Sequence, residues 1–219
     1  MSMIPIRDQI PTRRVPIINY LLIVANILVF VLQWMAGPNE EILIYQYALI
    51  PVNFTTQLNL ENFANIFTSM FMHAGLLHLA GNMLYLWIFG DNVEDSLGLF
   101  KYLLFYLIGG VVAALTHILI NPGSQIPTVG ASGAIAAVLG AYLVLYPRSR
   151  VLTFIPLGFF MRLTLVPASI VLMMWFVLQL FNGVLTLGAA DVGGTAFWAH
   201  IGGFVAGVVL AKLFARRNR

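Results

Sequence analysis

A serine and a histidine each stand near the start of a long uncharged segment in this chain of 219 residues. Ser132 lies in a Gly-Ala-Ser-Gly run, and His200 lies in an Ala-His-Ile-Gly-Gly run. Ionisable groups inside membrane spans are rare and usually functional. A serine hydroxyl within hydrogen-bond reach of an imidazole is activated as a nucleophile. The pair therefore predicts nucleophilic catalysis inside a membrane.

The composition indicates the class of protein that carries this pair. Hydrophobic residues make up 60% of the chain and charged residues only 9%, whereas soluble domains carry about 25% charged residues. The chain has no cysteine, which excludes a thiol nucleophile, a disulfide and a thiolate metal site. We therefore predict one membrane-embedded domain over residues 1–219, with the lipid bilayer as its partner. Nucleic acid is not an expected partner, because the basic residues flank apolar segments.

Six segments are apolar enough to cross a bilayer, which requires about 20 mostly apolar residues. No acidic or basic residue lies inside the first five of them, and Lys212 lies at the end of the sixth. This pattern predicts an all-α fold, a bundle of six transmembrane helices. The expected spans cover about 17–36, 75–90, 102–120, 130–147, 164–187 and 194–213.

The charged residues predict the orientation of these spans. All 11 Lys and Arg residues fall on one side of the six-span arrangement. The charged residues of the segments on the other side are all acidic. Basic residues mark cytoplasmic segments. We therefore expect a multi-pass protein of the cell membrane with both termini in the cytoplasm. Asp191, in the outer loop before the sixth span, is interpreted as a solvated residue without a catalytic role.

The first outer loop is long, and apolar residues recur in it at helical spacing. These residues are Phe63, Ile66, Phe67, Met70 and Phe71. The pattern predicts an amphipathic helix, which either lies at the membrane interface or packs on the bundle.

Four polar side chains are expected at one depth of the membrane. Spans 2, 4 and 6 run from outside to inside, which places His78, Asn82, Ser132 and His200 in the outer half of the bilayer. His78 and Asn82 are four residues apart, so they share a helix face. Alone, each of these residues is more often a packing or interhelical hydrogen-bonding group. Together, they favour a functional site.

Small residues predict how Ser132 and His200 meet. Stripes with four-residue spacing run along spans 4 and 6, and small-xxx-small stripes let helix backbones approach closely. Such an approach allows a Ser–His hydrogen bond of about 2.6–3.2 Å. The stripes comprise Ser132, Ala136 and Gly140, then Gly203, Gly207 and Ala211, and Gly133 is a further packing glycine.

Peptide hydrolysis is the chemistry that this set of residues fits. Ser132 is the expected nucleophile and His200 the general base and then the general acid. The backbone N–H of Ser132, the Asn82 amide and the His78 ring are expected to stabilise the oxyanion. No carboxylate accompanies them within a span, so we predict a dyad without a third member. No cofactor or metal is expected, because His73 and His78 are five residues apart and poorly placed to share an ion.

Three motifs together resemble the rhomboid family of intramembrane serine proteases. They are His-Ala-Gly-Leu-Leu-His-Leu-Ala-Gly-Asn at 73–82, Gly-Ala-Ser-Gly-Ala at 130–134 and Ala-His-Ile-Gly-Gly-Phe-Val-Ala-Gly at 199–207. The resemblance covers about residues 15–214. It implies a Ser132–His200 dyad and oxyanion contacts from Asn82 and His78. It also implies that the substrates are single-pass membrane proteins, cut near the outer end of their transmembrane segment.

The chain departs from the family pattern at two places. Many relatives have a Trp-Arg pair in the first outer loop, where the nearest positions here are Ala64 and Asn65. The residue one turn after the serine is often aromatic and packs on the catalytic histidine, but here it is Ala136. Glu94 matches an acidic family position after span 2 and is expected to be a structural hydrogen-bonding residue. A structural role is also expected for His73.

Two other functions are compatible with parts of the sequence. The first is a catalytically silent rhomboid-like protein that binds membrane clients. It is disfavoured because the dyad and the oxyanion residues are present. The second is a small transporter or channel, which would carry polar residues through the full depth of the membrane.

Overall fold

The structure, a computed structural model, describes residues 3–57, 59–157, 160–187 and 195–214. Most of these residues are helical, which confirms the prediction of a helical membrane bundle. Short 3₁₀ turns cover Gly37–Asn39 and Ser69–Phe71. The other elements in chain order are β1 (Ile4–Asp8), α1 (Ile17–Met35), α2 (Glu40–Tyr47), α3 (Pro51–Thr56), α4 (Leu60–Thr68), α5 (Leu76–Leu97), α6 (Leu99–Ile120), α7 (Ser132–Leu145), β2 (Arg150–Leu157), β3 (Phe160–Pro167), α8 (Ala168–Leu185) and α9 (Phe197–Phe214).

Four of the described helices are long and apolar enough to cross a membrane: α1, α6, α8 and α9. A fifth span results if Leu60–Phe71 and α5, which meet at an angle of 79°, are counted together. The apolar helix α7 has only 14 residues, which is shorter than a bilayer-spanning helix. The described helices thus give four or five candidate spans, and the count of six stays a prediction.

Several helix boundaries differ from the predicted spans. Helix α5, which corresponds to the second predicted span, continues seven residues beyond position 90, to Leu97. It ends where Gly98 adopts a positive φ of 83°. The predicted fifth span began at 164, but residues 164–167 belong to β3 and α8 begins at Ala168. Pro167 explains this boundary, because proline lacks an N–H and is tolerated immediately before a helix.

The helix α7 lies at the centre of the bundle. Nine consecutive residues, from Ala134 to Tyr142, are buried, and the helix packs against α5, α6 and α9. A helix that is apolar on every side is stable when other helices surround it. The N-terminus of α7, where Ser132 lies, is therefore held by three neighbouring helices.

A three-stranded antiparallel sheet in the order β1-β2-β3 accompanies the bundle, although the sequence predicted an all-α fold. Along β2, Val151 and Thr153 are buried, whereas the alternate residues Leu152 and Phe154 are partly exposed. This two-residue alternation is typical of a strand with one face on a core. The predicted spans leave β2 in a connection and assign residues 164–167 of β3 to the start of the fifth span. Each strand carries one arginine, namely Arg7, Arg150 and Arg162.

Three buried amide side chains lie along α1, and those of Asn19 and Gln33 form hydrogen bonds outside the helix. Asn19, Asn26 and Gln33 follow one another at seven-residue spacing and are at most 2% exposed. The side-chain NH₂ of Asn19 donates to the carbonyl of Leu86 at 3.0 Å. The N-terminus of the helix is held by Glu94, whose carboxylate accepts from the backbone N–H of Asn19 at 2.7 Å. Such an acceptor satisfies N–H groups that lack a partner within the helix.

The loop helix α4 packs on the bundle. Its buried residue Ile66 and the following Met70 cluster with Ala114 and Ile118 of α6. The side chain of Asn59 accepts from the backbone N–H of Asn62 and caps the helix. Of the two predicted placements for this helix, the structure has the packed one.

Candidate active site

Ser132 and His200 are in direct contact. Ser132 is the first residue of α7, and His200 lies in the first turn of α9. The Ser132 hydroxyl Oγ is 2.8 Å from Nε2 of the His200 ring, within hydrogen-bond distance. The histidine is 7% exposed. The two helices therefore place a hydroxyl against an imidazole in a largely buried position.

Glycines explain why α7 and α9 come close enough for this bond. An added Cβ at Gly203 would collide with the carbonyl of Gly133, and one at Gly207 would collide with the carbonyl of Ala137. A Cβ at Gly140 would strike the backbone of α9 from the other side. The two backbones are thus in contact, as small-residue stripes permit. Gly133 also packs on α6, where a Cβ would lie 2.7 Å from the Cβ of Ala113.

The second nitrogen of the His200 ring also has a partner. Nδ1 lies 2.8 Å from Oε1 of Gln179, a residue of α8. The Trp175 ring, one turn earlier on α8, packs near the imidazole with a centroid separation of 5.7 Å and an interplanar angle of 34°. Both side chains come from the fifth predicted span, to which the sequence analysis assigned no site residue. Position 136, which is often aromatic in the family and packs on the histidine, is alanine here, and these two side chains contact His200 instead.

His78 and Asn82 lie beside the segment that leads to Ser132. Gly130 has a φ of 129°, and a Cβ there would lie 2.8 Å from Nε2 of His78 and 3.6 Å from Nδ2 of Asn82. Glycine is therefore required both for the backbone conformation and for the space. The Asn82 Nδ2 group is buried and has no hydrogen-bond partner among the described residues. Such a donor is available to a bound group.

The His78 ring is oriented by its own neighbours. Its Nδ1 accepts from the backbone N–H of Ala74 at 3.4 Å, which leaves the hydrogen of the neutral ring on Nε2. The buried His73 ring packs against it edge-on, at a centroid distance of 5.1 Å. The backbone of His73 is held in turn by Gln33 of α1 through bonds of 3.0 and 3.1 Å. His73 thus supports the His78 ring from a fixed segment.

One cavity of about 1090 Å³ brings the site residues together. Ser132, His200, His78 and Asn82 all line it. His117 also lines the cavity, and its Nε2 lies 3.2 Å from the Thr128 hydroxyl. Among the described residues, no three His, Cys, Asp or Glu side chains are grouped to hold a metal ion. Asp191 lies outside the described residues.

The arrangement has the parts that acyl transfer requires. A hydroxyl contacts an imidazole, and the first N–H groups of α7 have no acceptor within the helix. The positive end of the helix dipole is at the same point. The unpartnered Asn82 amide and the His78 ring add donors from α5. A carbonyl bound at Ser132 would meet a nucleophile on one side and hydrogen-bond donors on the other.

Comparison with known proteins agrees with this geometry. The family model described as a rhomboid domain matches residues 60–217. The chain belongs to the rhomboid family. It is similar to the rhomboid protease GluP of Bacillus subtilis, with 32% identity over 137 residues, covering 62% of this chain and 26% of that protein. The match thus spans about a quarter of the length of that relative.

Two further relatives carry mitochondrial names. The human presenilin-associated rhomboid-like protein, mitochondrial, is 30% identical over 139 residues, covering 62% of this chain and 35% of that protein. The Saccharomyces cerevisiae rhomboid protein 1, mitochondrial, is 29% identical over 140 residues, covering 62% and 38%. This rhomboid chain therefore matches less than two fifths of each of these proteins.

Proposed function

We propose that this rhomboid protein is an intramembrane serine endopeptidase that cuts transmembrane segments of single-pass membrane proteins near the outer membrane face. The 2.8 Å contact between Ser132 Oγ and His200 Nε2 carries the proposal. It is supported by the donors of Asn82 and His78 on the same cavity. None of these groups requires a cofactor.

In the first half of the reaction, His200 Nε2 takes the hydroxyl proton as Ser132 Oγ attacks the scissile carbonyl carbon. The negative charge on the carbonyl oxygen is held by the backbone N–H of Ser132, with Asn82 and His78. His200 then returns the proton to the leaving amine as the C–N bond breaks. The products of this half are a free amine and an acyl ester on Ser132.

In the second half, water attacks the ester carbonyl. His200 takes a proton from the water and gives it back to Ser132 Oγ as the C–O bond breaks. The second product leaves with a carboxylate, and the enzyme returns to its starting state. The large cavity beside the dyad has room for the water that this half consumes.

The position of the dyad supports a membrane substrate. Both residues lie at the starts of apolar helices, Ser132 on α7 and His200 on α9. A transmembrane helix engages its own carbonyls in hydrogen bonds, so the scissile segment must unwind before it can be attacked. We therefore expect faster cleavage where the substrate contains glycine or proline near its outer end.

We place the protein in the cell membrane, with both termini in the cytoplasm. The support is the distribution of basic residues, three of which lie on the sheet formed by β1, β2 and β3. Reporter fusions at each terminus test this orientation. A reporter at either terminus that is active only outside the cytoplasm would contradict it.

The polar residues of α1 do not favour transport. They run through the depth of the helix, but the amide NH₂ groups of Asn19, Asn26 and Gln33 donate to backbone carbonyls. The Asn26 amide bonds within α1 and the other two bond outside it, so none of the three NH₂ groups is free to line a path for a solute. The Asn82 amide donor, which has no hydrogen-bond partner among the described residues, lies on the Ser132 cavity.

Purified protein in detergent provides the test of the proposed activity. A fluorophosphonate probe should label Ser132, and a generic transmembrane substrate should be cleaved. Both signals should disappear in Ser132→Ala, and cleavage should disappear in His200→Ala. Ser169→Ala, on α8 near the sheet, is the matched control and should behave as wild type. Folded wild-type protein that neither labels nor cleaves, in detergent and in liposomes, would instead support a client-binding protein.

A further inference from the structure

The imidazole of His200 is held from two directions by α8. Gln179 contacts Nδ1 at 2.8 Å, and Trp175 packs near the ring at 5.7 Å between centroids. The two residues are one helical turn apart, so they share a face of α8. The opposite nitrogen of the ring contacts Ser132. The three hydrogen-bonding side chains form one row from α7 through α9 to α8.

The chemistry of the amide determines where the ring hydrogen lies. The group that faces Nδ1 is Oε1 of Gln179, and a carbonyl oxygen only accepts hydrogen bonds. Nδ1 of the neutral ring must therefore carry the hydrogen. Nε2 is then left with its lone pair toward the Ser132 hydroxyl, which is the form a general base requires. In the other tautomer Nδ1 would face Oε1 of Gln179 with no hydrogen between them, and Nε2–H would donate to the Ser132 oxygen instead of accepting its proton.

We infer that Gln179 is a positioning residue that keeps His200 in the Nδ1–H tautomer, while Trp175 restricts the tilt of the ring. The inference rests on the proposed protease function and replaces the predicted dyad with a row of three residues. A neutral amide here performs the orienting role that a carboxylate performs in soluble serine proteases. An amide suits this position because an ionised group would be costly to bury in an apolar bundle.

The charge on His200 during the reaction gives Gln179 a second effect. When His200 takes the serine proton, the ring becomes positive and Nδ1–H becomes a stronger donor. Hydrogen bonds to charged groups are stronger than neutral ones. The contact to Gln179 therefore strengthens after substrate has bound. Its loss should reduce kcat and leave KM nearly unchanged.

The tautomer can be measured directly by ¹⁵N NMR of histidine-labelled protein in detergent. The chain has only 4 histidines, and the spectrum of His200→Ala assigns the signal of interest. We expect a protonated Nδ1 and an unprotonated Nε2 for His200 in the wild type. A ring protonated at Nε2 in the wild-type protein would overturn the inference.

Substitutions on α8 give the kinetic test. Gln179→Leu should lower kcat by about 10- to 100-fold with KM within about twofold, and should mix the tautomers of His200. Gln179→Glu keeps an acceptor oxygen and should recover most of the lost kcat, while the cost of burying a carboxylate should lower its melting temperature. Asn182→Leu is the matched control, because the Asn182 amide donates only to Leu178 of its own helix at 2.8 Å. That control should change neither kcat nor the tautomer.

The outcomes separate this inference from the proposed function. Wild-type tautomer and kcat in Gln179→Leu would overturn the positioning role and leave the protease intact. The tautomer of His200 can also change in Gln179→Leu although the wild-type protein cleaves no substrate. That result would support the positioning contact and overturn the proposed protease function.

Discussion

The contact between α7 and α9 leads to a quantitative prediction for Gly207→Ala. The new Cβ would lie 2.6 Å from the carbonyl carbon and 2.7 Å from Cα of Ala137. Carbon atoms in contact are normally about 3.5–4.0 Å apart, so α9 must move outward by about 0.9 Å or more. His200 lies seven residues earlier on the same helix, about 10 Å away, and is expected to move with it.

This shift is large compared with the tolerance of the dyad. Adding about 0.9 Å to the Ser132–His200 distance of 2.8 Å exceeds the range of a good hydrogen bond. A misplacement of about 1 Å costs on the order of 100-fold in rate. Overpacking also costs about 1–3 kcal/mol of stability. We therefore expect Gly207→Ala to lower kcat by about 100-fold and to lower the melting temperature.

Thermal unfolding in detergent and cleavage kinetics measure the two effects separately. Gly81→Ala on α5 is the control, because a Cβ there meets no atom within 4 Å. Its melting temperature and kcat should match the wild type. A Gly207→Ala protein with wild-type melting temperature and kcat would refute the reasoning from backbone contact.

Two further predictions concern other parts of the molecule. Asn82→Ala removes a buried donor from the cavity and should lower kcat by about 100-fold with little change in KM, and an unchanged kcat would contradict its oxyanion role. Asp8 of β1 is partly buried, which raises the pKa of its carboxyl above the ordinary 3.8. Folded protein then binds this proton more tightly than unfolded protein, so stability falls as the pH rises from about 4 through the raised pKa. Asp8→Asn should remove this contribution from melting curves at pH 4–7, and identical pH dependence in both proteins would refute it.

The contacts of the dyad follow from features that a sequence displays. Four-residue stripes of glycine and alanine indicate that two helices approach closely, and Ser132 and His200 lie at matching ends of those stripes. The proximity of the two residues could therefore be predicted without coordinates. His78 and Asn82 share a helix face for the same reason, since helical periodicity is a local property.

The support for His200 could not be predicted in the same way. Gln179 is a polar residue in the middle of an apolar helix, and this was a signal for a buried contact. The sequence does not state which helix it faces, because that depends on how α8 rotates against α9. Trp175 was missed because an aromatic residue in a span is also common against lipid. The amide residues of α1, Asn19, Asn26 and Gln33, likewise recur every seven residues. The sequence does not show which segments they contact.

The sheet was missed because its strands are far apart in the sequence. The pairing of Ile4 with Phe154 joins β1 to β2 across most of the chain, and only β2 and β3 are neighbours. Strand β1 has five residues, too few for a clear alternation. A strand whose partner lies beyond four predicted spans leaves no local signal of pairing.

The same separation has a consequence for biosynthesis. Strand β1 emerges from the ribosome long before its partner β2, which begins only at Arg150. At about 5–20 residues per second, β1 waits roughly 7–30 s with its hydrogen-bonding edge unpaired. During this interval α1, α5, α6 and α7 are all synthesised. The sheet therefore closes late in assembly and joins the start of the first helix to a bundle already present.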